Sequence, residues 1–156
     1  FCPKSYVYIS GPLTDLSAEE REHYLRLYER IAQFCHDIHI PAYLPHQHSD
    51  PVRDADLTPQ QVDWIDRERV QNALMMIAVA GPPSHGVGIE VEIANTSGVP
   101  TLLLIEKFRR VSRLIRGNPS VKHICTFDGE EDAFDQLAMI FFVIEPFCEF
   151  ASSRVE

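Results

Sequence analysis

Short apolar runs alternate along the chain with longer segments in which apolar residues recur every three or four positions. Continuous apolar runs are typical of strands buried on both faces, and the longer periodicity is typical of amphipathic helices. The predicted strands are residues 6–10, 40–44, 74–80, 99–105 and 121–127. The predicted helices are a segment opening at residue 17, residues 58–72, 87–97 and 111–116, and a segment after residue 128. This order predicts an α/β fold.

The expected architecture is a five-stranded parallel sheet with helices on both faces, a flavodoxin-like or Rossmann-like three-layer sandwich. Capping signals mark the starts of three helices: Ser17 with Glu20, Thr58 with Gln61, and Asp128 with Glu131. Gly98 is expected to close the helix 87–97, and the Pro- and Asp-rich segment 45–57 is predicted to be a surface loop. The last helix has an apolar face too wide for one core contact, so part of it is expected to meet another subunit.

Length and charge narrow the functional classes. The 156 residues predict one domain, 1–156, and the net charge of −9 argues against nucleic-acid binding, which needs clustered cations. The basic cluster comprises Lys107, Arg109, Arg110, Arg113 and Arg116 and is predicted to be a solvated or subunit-facing surface. The longest apolar run, residues 137–144, is far shorter than the roughly twenty residues of a membrane span.

The cysteines and the N-terminal sequence indicate the compartment. Cys2, Cys35, Cys125 and Cys148 form no CxxC pair and lie in or beside apolar stretches, which predicts buried, inert thiols. The first residues show no signal-peptide pattern. We therefore expect a reducing, cytoplasmic environment and no membrane association.

Candidate chemistry lies at the carboxyl ends of the strands, where open parallel sheets bind ligands. Glu90 follows a Gly-rich loop and is expected in the first turn of a helix, where free amides and the helix dipole stabilise a carboxylate anion. Such a carboxylate can act as the nucleophile of a retaining glycosyl transfer. Helix capping explains the same residue without any chemistry.

Other ligand-binding patterns are weaker. Gly86 and Gly88 belong to a broken dinucleotide fingerprint, since Val91 replaces its third glycine. His46 and His48 are metal-ligand types without a third ligand at useful spacing, so no metal is expected there. The two histidines are expected either on the surface or over a ligand pocket.

An ordered set of residues resembles the nucleoside 2-deoxyribosyltransferase family, whose superfamily includes 2′-deoxynucleoside 5′-monophosphate N-hydrolases. The matching positions are Tyr8-Ile9-Ser10-Gly11-Pro12, Asp66, Ser84-His85-Gly86-Val87-Gly88-Ile89-Glu90, Ala94, 98–100 and 111–117. The resemblance implies an enzyme that breaks N-glycosidic bonds with no metal or organic cofactor.

The resemblance also implies roles for single residues. Glu90 would attack C1′ of the sugar, Tyr8 would orient the Glu90 carboxylate, and Asp66 would contact or protonate the departing base. From the residues alone, Asp66 is a helix-surface acid and Tyr8 a core aromatic. The implied substrate-binding residues are Ser10, Gly11, Pro12, Ser84, His85, Gly86, Gly88 and Ser112. In the family the segment around Ser112 comes from a neighbouring subunit, which implies a homo-oligomer with shared sites.

The resemblance leaves the reaction open between two branches. Ser84 and Ser112 match the hydrolases that bind a 5′-phosphate, whereas Thr14 stands where those hydrolases carry an arginine. A phosphate without a nearby cation is poorly held. We therefore expect transfer of the sugar from a nucleoside to a nucleobase acceptor. The alternatives are a nucleoside 5′-monophosphate N-glycosidase that uses water and a non-catalytic nucleotide-sensing module.

Overall fold

The computed structural model describes residues 4–144, in which strands and helices alternate. The strands are β1 (Val7–Ser10), β2 (Ala42–Tyr43), β3 (Met75–Ala80), β4 (Thr101–Glu106) and β5 (Val121–Phe127). The α-helices are α1 (Ala18–Asp37), α2 (Pro59–Gln71), α3 (His85–Thr96), α4 (Arg113–Arg116) and α5 (Glu130–Met139). A 3₁₀ helix spans Pro45–Gln47, and a π-helical turn spans Ile140–Ile144.

All strand pairs are parallel, and the sheet has the order β2-β1-β3-β4-β5. The chain leaves β1 toward one edge and returns to pair β3 on the other side of β1. This reversal of direction creates a crevice at the carboxyl ends of β1 and β3, which is the usual ligand position in open α/β sheets. The predicted fold class is confirmed.

The core has one layer on each face of the sheet because successive strand residues point to opposite sides. Val7 and Ile9 of β1 pack in a cluster with residues of α1 and α5. Tyr8, between them, packs in a second cluster with residues of α2 and α3. Since both faces are covered, every residue of β1 and β3 is buried, which explains their continuous apolar sequence.

The segment 45–57 differs from the predicted surface loop. It begins with the 3₁₀ helix, and His46, Ser49 and Asp50 are buried. The Asp50 carboxylate accepts hydrogen bonds from two backbone amides of the same segment and pairs with Arg21 of α1 at 2.5 Å. These bonds fold the segment back onto the protein, so it forms part of the wall of the crevice.

The starts of two helices were predicted correctly, because Ser17 and Thr58 each form a complete capping box. The predicted cap at Asp128 is wrong. Gly129 occupies the N-cap position with a φ of 89°, while the Asp128 side chain accepts from Lys107 at 2.6 Å. A competing ion pair therefore removes the carboxylate from the helix end.

Helix α3 begins two residues earlier than predicted, at His85. The reason is that the Ser84 side chain accepts from the Val87 amide at 3.3 Å and so caps the helix. Glu90 is consequently in the second turn, beyond the first four amides that lack helical partners. The expectation of a first-turn carboxylate was wrong.

The last helix is only partly covered. Leu137 and Phe141 are buried, whereas Met139 and Phe142 are exposed by 56% and 49%. Contact of this exposed edge with another subunit stays a prediction. The Ile144 side chain, also predicted on this apolar face, is outside the described side chains. The C-terminal residues 147–156 lie outside the described part of the chain.

The described thiols are buried, as predicted. Cys35 and Cys125 are free and buried, and burial raises the pKa of Cys35 to about 12. Cys2 and Cys148 lie outside the described residues. The basic residues Lys107, Arg109, Arg110, Arg113 and Arg116 are all exposed, in agreement with a solvated surface. Within residues 4–144, no helix is long and apolar enough to cross a membrane.

Substitution of Gly81, the residue directly after β3, tests the tight packing behind the crevice. A Cβ atom at this position would lie 2.4 Å from the Tyr24 hydroxyl. We expect Gly81→Ala to lower the free energy of unfolding by about 1–3 kcal/mol, because a buried ring must move. Denaturant unfolding followed by circular dichroism measures the change.

Gly86→Ala is the matched control, since its Cβ would meet only the Ser84 hydroxyl at an ordinary 3.7 Å. Alanine also favours a helix over glycine by roughly 1 kcal/mol. Equal stability of Gly81→Ala and the wild type would contradict the close approach of Tyr24 to this loop.

Candidate active site

A cavity of about 680 Å³ opens at the carboxyl ends of β1 and β3. Its wall comes from the loop after β1, the folded segment after β2, one face of α2 and the start of α3. This volume lies within the range of roughly 300–1,000 Å³ that is typical of small-molecule sites. The cavity therefore occupies the position that the sheet topology indicates.

The Glu90 carboxylate lies between α3 and β1 at the floor of this cavity. The Tyr8 hydroxyl donates to one carboxylate oxygen at 2.5 Å, and the Ser10 hydroxyl donates to the other at 2.5 Å. Tyr8 and Ser10 are two positions apart on one strand and so point to the same face. Both are fully buried, so β1 holds the carboxylate from below while Glu90 itself reaches the cavity.

The pKa of Glu90 is shifted in the direction opposite to that expected for a stabilised anion. Burial raises its pKa to about 7, and the nearby charge of Asp66 adds to this effect. The hydrogen bonds from Ser10 and Tyr8 act in the opposite direction, because they stabilise the ionised form. Position in the second turn removes the support of the free helix amides, so burial dominates.

Asp66 lies on α2 and lines the same cavity. Burial raises its pKa, the Asp63 charge raises it further, and a hydrogen bond from the Ser49 hydroxyl at 3.1 Å lowers it. The direction agrees with the expectation that burial keeps this acid partly protonated. The cavity thus holds two carboxyl groups, Glu90 and Asp66, whose pKa values burial raises.

The remaining predicted residues divide into two groups. Gly11, Ser84, His85 and Gly86 line the cavity. The residues Pro12, Gly88 and Ser112 are outside its lining. Pro12 is buried, and its carbonyl accepts from the Tyr28 hydroxyl at 2.9 Å. Ser112 is exposed and caps α4 by accepting from the Leu114 amide.

The two histidines of the segment after β2 lie away from the cavity lining. His46 is buried and its ring lies 3.5 Å from a Glu29 carboxylate oxygen, so a plain surface position is excluded. His48 stacks on Tyr43 with ring centres 4.6 Å apart. Across residues 4–144, no group of three or more His, Cys, Asp or Glu side chains could hold a metal ion.

The sequence did not indicate how acidic the cavity is. Five carboxylates line it: Asp15, Asp54, Asp63, Asp66 and Glu90. Among the described residues that line the cavity, Arg67 is the only arginine, and its guanidinium already donates to the Asp63 carboxylate at 2.8 Å. Two of these residues, Asp15 and Asp54, lie in the segments that follow strands β1 and β2. Their position near the crevice could therefore have been inferred from the topology.

Comparison with known proteins bears on the fold. No protein-family model and no curated protein sequence matches the chain. Among solved structures, the CMP N-glycosidase BcmB of Clostridium botulinum is 21% identical with a TM-score of 0.65, covering 86% of this chain and 98% of that protein. BlsM is also 21% identical, with a TM-score of 0.68 and coverage of 94% and 98%.

A third solved structure is the 2-deoxyribosyltransferase of Bacillus psychrosaccharolyticus. It is 16% identical with a TM-score of 0.62, and the match covers 84% of this chain and 91% of that enzyme. The chain shares the fold of these proteins. The fold that the resemblance to the nucleoside 2-deoxyribosyltransferase family implies is thereby confirmed.

Glu90→Gln tests the buried carboxyl through stability. A pKa of about 7 in the folded protein, against 4.5 as the ordinary value, means that the folded state holds the proton more tightly. The contribution of Glu90 to stability is therefore fully present below pH 4.5 and is lost as pH rises through about 7. Glutamine removes this dependence.

We expect the free energy of unfolding of Glu90→Gln, relative to that of the wild type, to increase by about 3 kcal/mol between pH 4.5 and pH 7. Urea unfolding at a series of pH values measures the difference. Glu92→Gln, an exposed position on the same helix, is the matched control and should show no comparable trend. A flat difference for Glu90→Gln would show that the carboxyl is not perturbed by burial.

Proposed function

We propose that the protein cleaves the N-glycosidic bond of a 2′-deoxynucleoside and transfers the sugar to another nucleobase with retention. The observation that supports this most is the Glu90 carboxylate held by Tyr8 and Ser10 at the cavity floor, with Asp66 in the same cavity. A positioned carboxylate and a second carboxyl group are the parts that retaining glycosyl transfer needs. No metal or organic cofactor is assigned a role.

In the first step an ionised Glu90 oxygen attacks C1′ on the face opposite the base. The C1′–N bond breaks, its electron pair goes to the base, and the Asp66 carboxyl proton goes to the departing base. The products are a glycosyl ester on Glu90, a neutral base and an Asp66 carboxylate. Proton donation to a poor leaving group contributes roughly two to four orders of magnitude in rate.

In the second step a nitrogen of the incoming base attacks C1′ and its proton passes to Asp66. The ester C1′–O bond breaks and the Glu90 carboxylate is regenerated. Tyr8 and Ser10 donate to both carboxylate oxygens, so they support the charge that returns to Glu90 as it leaves. Two inversions at C1′ give net retention.

The charge of the cavity favours a neutral nucleoside. A 5′-phosphate dianion would enter a space lined by five carboxylates and by Arg67, which already binds Asp63. Repulsion between like charges in a partly enclosed site disfavours such binding. The 5′-hydroxyl of a nucleoside carries no such penalty.

A nucleoside 5′-monophosphate N-glycosidase is the second candidate. The first residues of α3, from the cap Ser84 to Gly86, line the cavity, and a helix N-terminus favours phosphate. The similar Clostridium botulinum protein is named a CMP N-glycosidase. Water would then replace the nucleobase in the second step.

We also propose a homo-oligomer in which Ser112 reaches the cavity of a neighbouring subunit. Ser112 is exposed and lies outside the cavity lining of its own chain. Leu114, two residues further on, is 85% exposed, so an apolar side chain next to Ser112 is available for contact with a neighbouring subunit.

The reaction is tested by incubating the purified protein with 2′-deoxyinosine or its 5′-monophosphate, each with and without adenine. We expect deoxyadenosine to form from the nucleoside and adenine, and Glu90→Ala to abolish its formation. Chromatography with mass detection identifies the products. Glu92→Ala controls for general effects on α3.

Release of hypoxanthine from the monophosphate alone, independent of adenine, would instead support the second candidate. Binding of nucleosides without turnover, unchanged in Glu90→Gln, would support a non-catalytic sensor. Either result would refute base exchange.

Tyr8→Phe tests whether the Tyr8 hydroxyl stabilises the ionised Glu90 carboxylate. Loss of the hydroxyl removes a hydrogen bond to ionised Glu90, so the Glu90 pKa rises and the acidic limb of the pH–rate profile moves to higher pH. We expect kcat/KM at neutral pH to fall by about ten- to a hundredfold, the range of one charge-assisted hydrogen bond. Steady-state rates between pH 5 and 9 measure both effects.

Tyr6→Phe is the matched control, because its hydroxyl donates to the Arg69 carbonyl outside the cavity. Its profile should coincide with that of the wild type. An unchanged profile for Tyr8→Phe would mean that the phenol does not act on Glu90 during the reaction.

A further inference from the structure

Ser49 connects the segment after β2 to the acid on α2. Its side chain is buried, and the hydroxyl lies 3.1 Å from an Asp66 carboxyl oxygen. The same hydroxyl lies 3.3 Å from the Pro45 carbonyl. One hydroxyl proton can serve only one of these two acceptors at a time.

The choice between the two acceptors depends on the protonation of Asp66. The Pro45 carbonyl already accepts from the amides of His48 at 2.9 Å and Ser49 at 2.8 Å, so both of its lone pairs have partners. An ionised Asp66 is then the stronger acceptor and takes the Ser49 proton. When Asp66 carries its own proton, the Ser49 hydroxyl accepts from Asp66 and turns its own proton to the Pro45 carbonyl, an acceptor that it shares with the two amides.

The position of Ser49 is fixed by its neighbour in the chain. The Asp50 carboxylate binds the amides of Val52 and Arg53 at 2.8 and 2.9 Å, and it pairs with Arg21. The Asp50 amide donates to Asp54 at 2.9 Å. The Arg21 pair ties the segment to α1 and the other bonds hold its own backbone, so the Ser49 hydroxyl stays within reach of Asp66 while only its proton changes direction.

We propose that Ser49 is a positioning residue that gives Asp66 a hydrogen-bond partner in both of its protonation states. Asp66, which is half-buried at the cavity wall, can then release a proton to the departing base and recover one from the incoming base while keeping the hydrogen bond with Ser49. An unpaired buried polar group would oppose each transfer. The inference rests on the proposed function for its catalytic part, whereas the coupling of Ser49 to Asp66 stands on geometry.

The kinetic test compares Ser49→Ala, Ser49→Thr and the wild type on two substrates. The hypoxanthine base of 2′-deoxyinosine needs a proton from Asp66 to depart as a neutral base. The base of 7-methyl-2′-deoxyguanosine is already cationic, so it departs as a neutral base without receiving a proton. We expect Ser49→Ala to reduce kcat on 2′-deoxyinosine about tenfold, part of the contribution of a general acid, with little change in KM. The 7-methyl substrate should lose less than twofold, and Ser49→Thr should retain most of the activity.

The pH profile separates positioning from a structural defect. Removal of the hydroxyl takes away a donor to the Asp66 carboxylate, so Asp66 holds its proton to higher pH. The alkaline limb on 2′-deoxyinosine should therefore move up by about one pH unit in Ser49→Ala. Ser120→Ala, which removes another buried serine hydroxyl that contacts the Val91 carbonyl, is the matched control and should leave both profiles unchanged. Equal losses on both substrates would overturn the proposal.

A measurement independent of turnover decides the coupling itself. Carboxyl ¹³C NMR titration should show the Asp66 pKa about one unit higher in Ser49→Ala and near the wild-type value in Ser49→Thr. No difference among the three proteins would overturn the proposal. If the wild type cleaves no nucleoside, the proposed function fails, and this titration still confirms or refutes the control of Asp66 by Ser49.

Discussion

The candidate site is governed by one constraint: the Glu90 carboxyl group must be hydrogen-bonded in the space between strand β1 and helix α3. An isolated carboxylate in such a place is costly unless donors face it. Tyr8 and Ser10 supply one donor to each oxygen of Glu90, and both belong to β1, the strand at which the sheet changes direction. The sheet topology provides the crevice, and the chemistry of the cavity follows from keeping this group hydrogen-bonded and accessible from one side.

The four residues of β1 perform two tasks because their side chains alternate between the faces of the sheet. Val7 and Ile9 join the apolar cluster with α1 and α5, while Tyr8 and Ser10 hold Glu90 on the other face. The core and the candidate site therefore share one short strand. A one-residue register shift of β1 would exchange these roles and lose both at once.

Local sequence patterns predicted the architecture well, because apolar runs, periodicity and two of the capping boxes are local signals. The start of α3 was misplaced for a local reason, the cap at Ser84, but two other errors have long-range causes. The ion pair from Lys107 displaced the cap at Asp128, and tertiary burial reversed the expected charge preference of Glu90. Contact of Ser49 with Asp66 joins segments distant in sequence, so no spacing could reveal it. The assignment of Tyr8 and Asp66 came from resemblance, since their residue types alone favoured a core and a surface position.

Two tyrosines of α1 fill the space behind the turns that leave β1 and β3, where any side chain on Gly11 or Gly81 would overlap their rings. The tip of Tyr28 also holds the Pro12 carbonyl. Variation at these turns is therefore tied to a helix on the far side of the sheet and requires paired substitutions. Most residues of the segment 51–57 are exposed, and the segment supplies Pro51, Asp54, Ala55 and Leu57 to the cavity wall. New specificities should consequently arise by change in that segment, which makes it the natural place to diversify the protein by design.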